Sequence, residues 1–516
     1  MDAPVNAPDP TASIVAALHR VSPRFTRPQV SLRSVTIYGA VLAVWIALTV
    51  GAWFASGLYA WSTGIAYVLY DTWLLVYVAC KTAYLWRTPI AADASLMAPT
   101  LAPLMAPTLA RTGASTGAPA AAAPPPCIGI IIAAYNEAPA LPTTLDALLP
   151  QLEAGDELWV VDDGSDDDTG RMLVARFGCE WPAQGAVGRS PRHPGLRIWR
   201  ARHGGKARAL NAALAQLGTE VVLTVDADTK LAADALGAVR SAFTADPHLV
   251  AACCVLRPVC GPGFVAGLFQ WFQTYEYMRA FCSRIAWMRS DALLLVSGAF
   301  AGFRREALLA VGGFDPACLV EDYELIHRLY RFSLDRGLVW RVRVLPAPRA
   351  ITDAPGTLPS FLKQRRRWFA GFLQTQYWNC DMTFNGRYGS VGRWMLPIKA
   401  LDTMQPVFGL TAFALLLGFA AAGRLRILVP VLLVILAKIV IDVGFHLWWV
   451  KVYARWTGQR TPRGGFLLAL LAAVAEPFSF QLMRHVGAVW GWVGFLTRHH
   501  SWGVTPSLPA FEVRPE

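Results

Sequence analysis

The sequence predicts an α/β domain, a mostly parallel sheet covered on both faces by helices, set between groups of transmembrane helices. Three observations carry that prediction. From Cys127 onward, short apolar runs alternate with helical patterns, as in strand–helix–strand units. Uncharged apolar stretches of spanning length lie on both sides of that region. Hydrophobic residues make up 54% of the chain and charged ones only 16%, unusually apolar for a soluble protein.

The formal charge of +12, from 47 Lys plus Arg against 35 Asp plus Glu, suits cytoplasmic flanks and phosphate-bearing partners. It does not require nucleic acid, and no nucleic-acid partner is expected. Nine cysteines without a metal-type C-x-x-C pair read as reduced, mostly buried thiols of a cytoplasmic setting.

Residues 1–33 form a basic, proline-spotted N-terminus, too long and interrupted for a cleaved signal peptide. Ser34–Ala55 and Tyr59–Trp86 then read as a transmembrane hairpin. The basic N-terminus, with Lys81 and Arg87 after the second run, puts both outer flanks in the cytoplasm. Asp71, inside the second run, is expected to face the bundle rather than lipid. Residues 87–126 are expected to be a disordered linker. There LMAPTLAP at 96–103 is followed by LMAPTLAR at 104–111, and a run of Ala, Gly and Pro sustains neither helix nor ladder.

Within residues 127–392, strands are predicted at 127–135, 157–163, 196–201 and 221–228, with helices at 138–149, 167–177 and 205–217. Parallel sheets bind ligands outside the carboxyl ends of their strands. Tyr135-Asn136-Glu137 follows the first strand, Asp162-Asp163-Gly164-Ser165 the second, and Asp226-Ala227-Asp228 ends the fourth. Asp226 and Asp228 can share one cation, although a bare Asp-x-Asp reads better as a solvated turn capping the next helix. The turn His203-Gly204-Gly205-Lys206 opens a helix whose backbone donors and lysine suit phosphate.

AAYNE, VVDDGS, GGKARALN and Asp-Ala-Asp, in this order, resemble the nucleotide-sugar half of family 2 glycosyltransferases with the GT-A fold. The second half agrees. SGAF at 297–300, FRREALLAVGGFD at 303–315, Glu321-Asp322 and Gln364-Arg365-Arg366-Arg367-Trp368 resemble the acceptor side of the membrane-embedded processive members. These include cellulose, chitin, hyaluronan and poly-N-acetylglucosamine synthases.

The resemblance implies a UDP-sugar donor, with Tyr135, Glu137 and Asp162 or Asp163 holding uracil and ribose and Lys206 the phosphates. It implies that Asp226 is shared between nucleotide and metal and that Asp228 is the main metal ligand. Oxygen-only ligands favour Mg2+ or Mn2+, which would neutralise charge on the diphosphate leaving group. Asp322 is the implied general base, with Glu321 beside it, although Val320 stands where the family often has threonine. The same two carboxylates also read as ordinary charge at a helix N-terminus. Gln364, Arg367 and Trp368 are implied acceptor and diphosphate contacts, Trp368 stacking on sugar and Arg367 facing the diphosphate. Arg365 and Arg366 occupy variable positions and are expected at lipid head groups or in solvent.

Gly263–Trp287 is expected at the membrane interface. Within residues 393–497, Trp394–Ala422, Ile427–Val450 and Phe466–Leu496 suggest about three more spans, about five in all. Glu476-Pro477 makes the last doubtful as a straight helix. Lys399, Asp402, Lys438, Asp442, Glu476, Arg484 and His485 are expected to face one another or a watered groove. Residues 498–516 form a tail too short for a sizeable regulatory domain.

The resulting expectation is a multi-pass protein of a bacterial-type inner membrane with a cytoplasmic catalytic domain. It would transfer a hexose or N-acetylhexosamine from its UDP-sugar, with inversion, to a growing polysaccharide, and pass the product outward with export subunits. Transfer of a single sugar to a lipid carrier or glycolipid is the alternative. A non-catalytic scaffold would not need Asp226, Asp228, Asp322, Arg367 and Trp368 together.

Overall fold

The computed structural model describes residues 11–25, 30–86, 124–458 and 465–497. The expected linker, except residues 124–126, and the 498–516 tail lie outside the described residues.

Among the described residues, nine strands form one sheet: β1 (Ile128–Ala134), β2 (Glu157–Asp162), β3 (Val187–Arg189), β4 (Leu196–Arg200), β5 (Val221–Val225), β6 (Thr229–Leu231), β7 (Leu249–Val259), β8 (Phe300–Arg304) and β9 (Arg341–Asp353). Their order is β3-β4-β2-β1-β5-β8-β7-β9-β6. The block β4-β2-β1-β5 is parallel throughout. Its strands β1 and β5 are almost wholly apolar because helices cover both faces; Ile128, Ile130, Ile131 and Ile132 of β1 are all fully buried. Beyond β5 the sheet is mixed. β8 runs antiparallel to β5 and β7, while β9 is parallel to β7 and antiparallel to β6.

Register fixes where the chemistry gathers. Ala134 lies opposite Asp162, and Asp162 opposite Arg200, so the segments after β1, β2 and β5 leave the same edge. Helices Leu141–Leu148, Thr169–Phe177 and Lys206–Gln216 fall where the periodicity placed them.

Among the described residues, four helices are long and apolar enough to cross a membrane: Leu32–Gly51, Gly57–Trp86, Val391–Ala421 and Leu425–Thr457. Gly465–Phe478 and Phe480–Leu496 make a fifth candidate bent by 46°, with the break at Ser479, two residues past Pro477. Helix Phe264–Met288 packs on both β7 and this bundle, and Leu358–Trp378 packs along Phe480–Leu496. The first packs on Val450 and Ala472, and Phe361 of the second packs on Phe480.

Part of the basic N-terminus is a helix, Ala12–Val21, seated on the sheet domain. The backbone of Leu18 lies so close to Gly312 that a Cβ there would stand 2.2 Å away. Arg24 Nε meets the buried Asp315 at 2.8 Å. Proline and arginine content gave no sign of this docking.

Candidate active site

The donor edge is built by interlocked turns. Asn136 holds a left-handed backbone, φ 59°, which asparagine tolerates. Its side-chain oxygen accepts from the N–H of Asp166 at 3.0 Å and of Asp167 at 3.3 Å, and Ser165 Oγ accepts from Asn136 N–H at 3.0 Å. The turns after β1 and β2 are thereby held together. Tyr135 is left exposed, its ring centroid 4.4 Å from that of His203, and the pair offers flat faces suited to a base.

Asp163 shapes the glycine-rich turn, its two carboxylate oxygens accepting from Gly204 and Gly205 N–H at 2.8 Å each. Gly164 permits the approach: its φ is +79°, and a Cβ would lie 2.9 Å from His203 N. Asp162, also buried, accepts from Ser165 N–H at 3.2 Å, and burial raises its pKa. Of the adjacent pair, Asp162 is the one whose carboxylate the glycine-rich turn does not use.

Lys206 joins the two halves of the site. Its Nζ lies 2.5 Å from Asp226 Oδ1 and 3.5 Å from Glu321 Oε1. Burial works to lower the pKa of the ammonium, but Asp226, Glu321 and Asp322 outweigh it and the pKa is raised.

Asp226 leaves β5 with its N–H bonded to Ala299 O at 3.1 Å. Asp228 Oδ1 accepts from Thr229 Oγ1 at 3.2 Å and Thr352 Oγ1 at 3.4 Å. Asp353, the last residue of β9, joins this group. Burial, then Asp226 and Asp353, push Asp228 up to about 6. Burial, then Asp228 and Asp226, push Glu137 up to about 7.

A divalent cation relieves crowding of this kind, and the donors are all oxygen, which suits Mg2+ or Mn2+. Among the described residues there is no group of three or more His, Cys, Asp or Glu arranged to hold a metal. Two carboxylates with the remaining positions left to substrate oxygens and water is an ordinary arrangement for Mg2+, so Asp226 and Asp228 fit such an ion.

Asp322 stands in the first turn of helix Glu321–Asp335. Its Oδ2 accepts from Gly298 N–H at 2.7 Å and its Oδ1 from Tyr323 N–H at 2.8 Å. A Cβ on Gly298 would come within 3.2 Å of the carboxylate. Glu321 is 6% exposed; burial raises its pKa and Lys206 opposes the rise. Val320 packs on the next helix, where a Cβ on Gly371 would stand 2.5 Å from its Cγ2.

Helix Leu358–Trp378 supplies Gln364, Arg367 and Trp368. Gln364 Oε1 is buried with no hydrogen-bond partner, and Arg367 Nη1 donates to Leu319 O at 3.4 Å. Arg365 corrects an expectation. It is not at lipid head groups or in solvent but 4% exposed, with Nη2 2.7 Å from Glu276 Oε2. It turns inward because Glu276, on helix Phe264–Met288, offers a counter-ion there. Arg366 is half-buried, 4.9 Å from the Trp490 ring.

One cavity of about 730 Å³ is lined by Lys206, Asp226, Asp228, Glu321, Asp322, Gln364, Arg367 and Trp368, and it continues among the apolar helices to Asp71, Lys438 and Asp442. Tyr135, Glu137, Asp162 and Asp163 are not among its lining residues. Lys438 Nζ meets Asp71 at 2.7 Å and also pairs with Asp442. Lys399 pairs with Asp402 at 2.7 Å, and Arg279 with Glu476. The charges of these helices therefore both face one another and line the cavity, and Asp71 faces the bundle as expected. Sequence reasoning missed Asp353, Thr352 and Glu276 as lining residues. Asp353 ends a strand like the other acids, but Pro346 and Pro348 mask that strand.

Residues 129–312 match the family described as glycosyl transferase family 2, and residues 221–452 match glycosyl transferase family group 2. A poly-β-1,6-N-acetyl-D-glucosamine synthase of Staphylococcus epidermidis is 26% identical over 265 residues, 50% of this chain and 58% of that protein. The synthase of Staphylococcus aureus (strain COL) is 26% identical over 245 residues, 47% of this chain and 54% of that protein. The chain thus spans little more than half the length of the curated relatives it matches. Among solved structures, a mannosyltransferase from Pyrobaculum calidifontis in complex with GDP-Man and Mn2+ aligns with a TM-score of 0.48 at 22% identity, covering 86% of this chain and 99% of that one.

Proposed function

We propose that this chain, which carries a glycosyltransferase family 2 domain, is a membrane-embedded synthase that extends a polysaccharide from a UDP-sugar, with its sheet domain in the cytoplasm. The observation that carries the proposal is the single cavity joining Asp226 and Asp228, Asp322 and Trp368, and running on between the apolar helices. Similarity to polymer synthases over about half the chain favours a polymer product over one sugar on a lipid.

Tyr135 and Asp162 hold the uracil and ribose, and Lys206 and Arg367 face the diphosphate. Asp226 and Asp228 would hold a divalent cation, which would supply charge neutralisation for the leaving diphosphate. Trp368 stacks on the acceptor sugar. Asp322 takes the proton of the acceptor hydroxyl as its oxygen attacks the anomeric carbon from the face opposite the phosphate; the new C–O bond forms, the C1–O bond to the diphosphate breaks, and UDP leaves. Gly298 and Tyr323 N–H fix the carboxylate for that role. Attack from the opposite face inverts the configuration.

The test is to incubate the purified full-length protein in nanodiscs with UDP-glucose, UDP-N-acetylglucosamine and UDP-galactose plus Mg2+ or Mn2+, and to size the product. A product of many residues is expected from one donor. A single-sugar adduct on lipid contradicts the polymerase reading.

A further inference from the structure

Arg365 and Glu276 belong to a junction of three helices that the transfer chemistry does not itself require. The Arg365 guanidinium lies between two rings of its own helix, 4.6 Å from the Phe361 centroid and 4.5 Å from the Trp368 centroid. Positions 361, 365 and 368 share one helix face. Glu276 accepts from Arg365 at 2.7 Å on one oxygen and meets Arg484 at 3.5 Å on the other. Arg484 lies on Phe480–Leu496, the second half of the bent pair. Phe361 is fully buried between Phe269, 5.4 Å away, and Phe480, 4.9 Å away.

The helices approach closely at this point. A Cβ on Gly487 would stand 2.6 Å from Arg365 Cβ, and one on Gly491 would stand 2.8 Å from Arg366 O. Two bare glycines therefore let the last helix press on the backbone of the segment that presents Gln364, Arg367 and Trp368. A cation stacked on an indole and tied by an ion pair has little rotamer freedom, so the Trp368 ring it covers is held as well.

Resting on the acceptor role of Trp368 given above, we propose that Arg365 and Glu276 are positioning residues. They set the Trp368 ring for the acceptor sugar and tether it to the last membrane helix.

Kinetics of the full-length protein test this. The donor is whichever UDP-sugar the wild type turns over, and the acceptor probe is the matching free monosaccharide. Arg365→Gln and Glu276→Gln should each raise the acceptor KM about tenfold, with a smaller effect on kcat and the UDP Kd within about twofold. Arg365→Lys, which keeps charge but loses the stacked plane, should fall between them and the wild type. Arg365→Gln added to Trp368→Ala should change KM little further, because the ring it positions is gone. If Arg365→Gln does not fold, Arg365→Lys and Glu276→Gln carry the test.

The inference is overturned if acceptor KM and UDP Kd move together, or if the Arg365 and Trp368 effects add. A wild type that turns over no UDP-sugar overturns the functional reading and this inference with it. Turnover that depends on Asp322 but is indifferent to Arg365 and Glu276 overturns this inference alone.

Discussion

Asp228 and Glu137 are carboxyls that the surrounding fold makes costly to ionise. Both pKa values are raised, to about 6 and about 7. Each therefore contributes stability at pH values below the unfolded pKa and loses that contribution as pH rises through the folded value. Without added cation, stability should decline from about pH 4 to about pH 7 through these two groups. Mg2+ or Mn2+ competes with protons for the same oxygens, so its binding should weaken by up to about tenfold per pH unit below about 6. Thermal unfolding with and without Mn2+ at pH 5.5 and 7.5 checks this: the Mn2+ stabilisation should be larger at pH 7.5 and nearly absent in Asp228→Asn. Equal stabilisation of Asp228→Asn would remove Asp228 from the metal role. At this scale Asp226, Asp228, Lys206 and Asp322 were legible because short motifs name them. Arg365 was not, since sequence spacing does not show that Glu276, 89 positions earlier, meets it.

The contact between helices Glu321–Asp335 and Leu358–Trp378 places the proposed base relative to the proposed acceptor segment. It depends on a glycine, because Val320 fills the space above Gly371. Gly371→Ala should overpack that contact at about 1–3 kcal/mol, lowering the unfolding temperature by a few degrees and turnover more than UDP affinity; unfolding scans and UDP titration of the same sample read both. Unchanged turnover would show that this contact does not set Asp322. Elements with a clean period were legible. β1, β2, β4 and β5 and the helices between them lie within a few residues of expectation, as do the apolar helices Leu32–Gly51, Gly57–Trp86 and Val391–Ala421, while Leu425–Thr457 runs seven residues past the expected Val450. β7 to β9 were not read as strands. β9 contains Pro346 and Pro348, and proline breaks a strand signal unless a register shift absorbs it; such a shift is seen in the β7–β9 pairing between Cys253 and Val255. The helix Ala12–Val21 was equally hidden, since its partner is the turn at Gly312 and Gly313, almost three hundred residues away, against which Leu18 and Ile14 pack.

In the molecule as a whole, one cavity connects carboxylates at a sheet edge with ion-paired groups among apolar helices. The composition announced both environments, and the order of motifs announced the domain between them. Their continuity depends on how Phe264–Met288 and Leu358–Trp378 bridge sheet and bundle, a tertiary fact that no local pattern encodes. The central claim, that this cavity is a sugar-transfer site with Asp322 as its base, is tested most directly by UDP release and UDP binding in the purified full-length Asp322→Asn variant. Loss of release by at least about 100-fold, the usual worth of a general base, with UDP affinity within about twofold of wild type, is the predicted result. Turnover retained at the wild-type rate would contradict it.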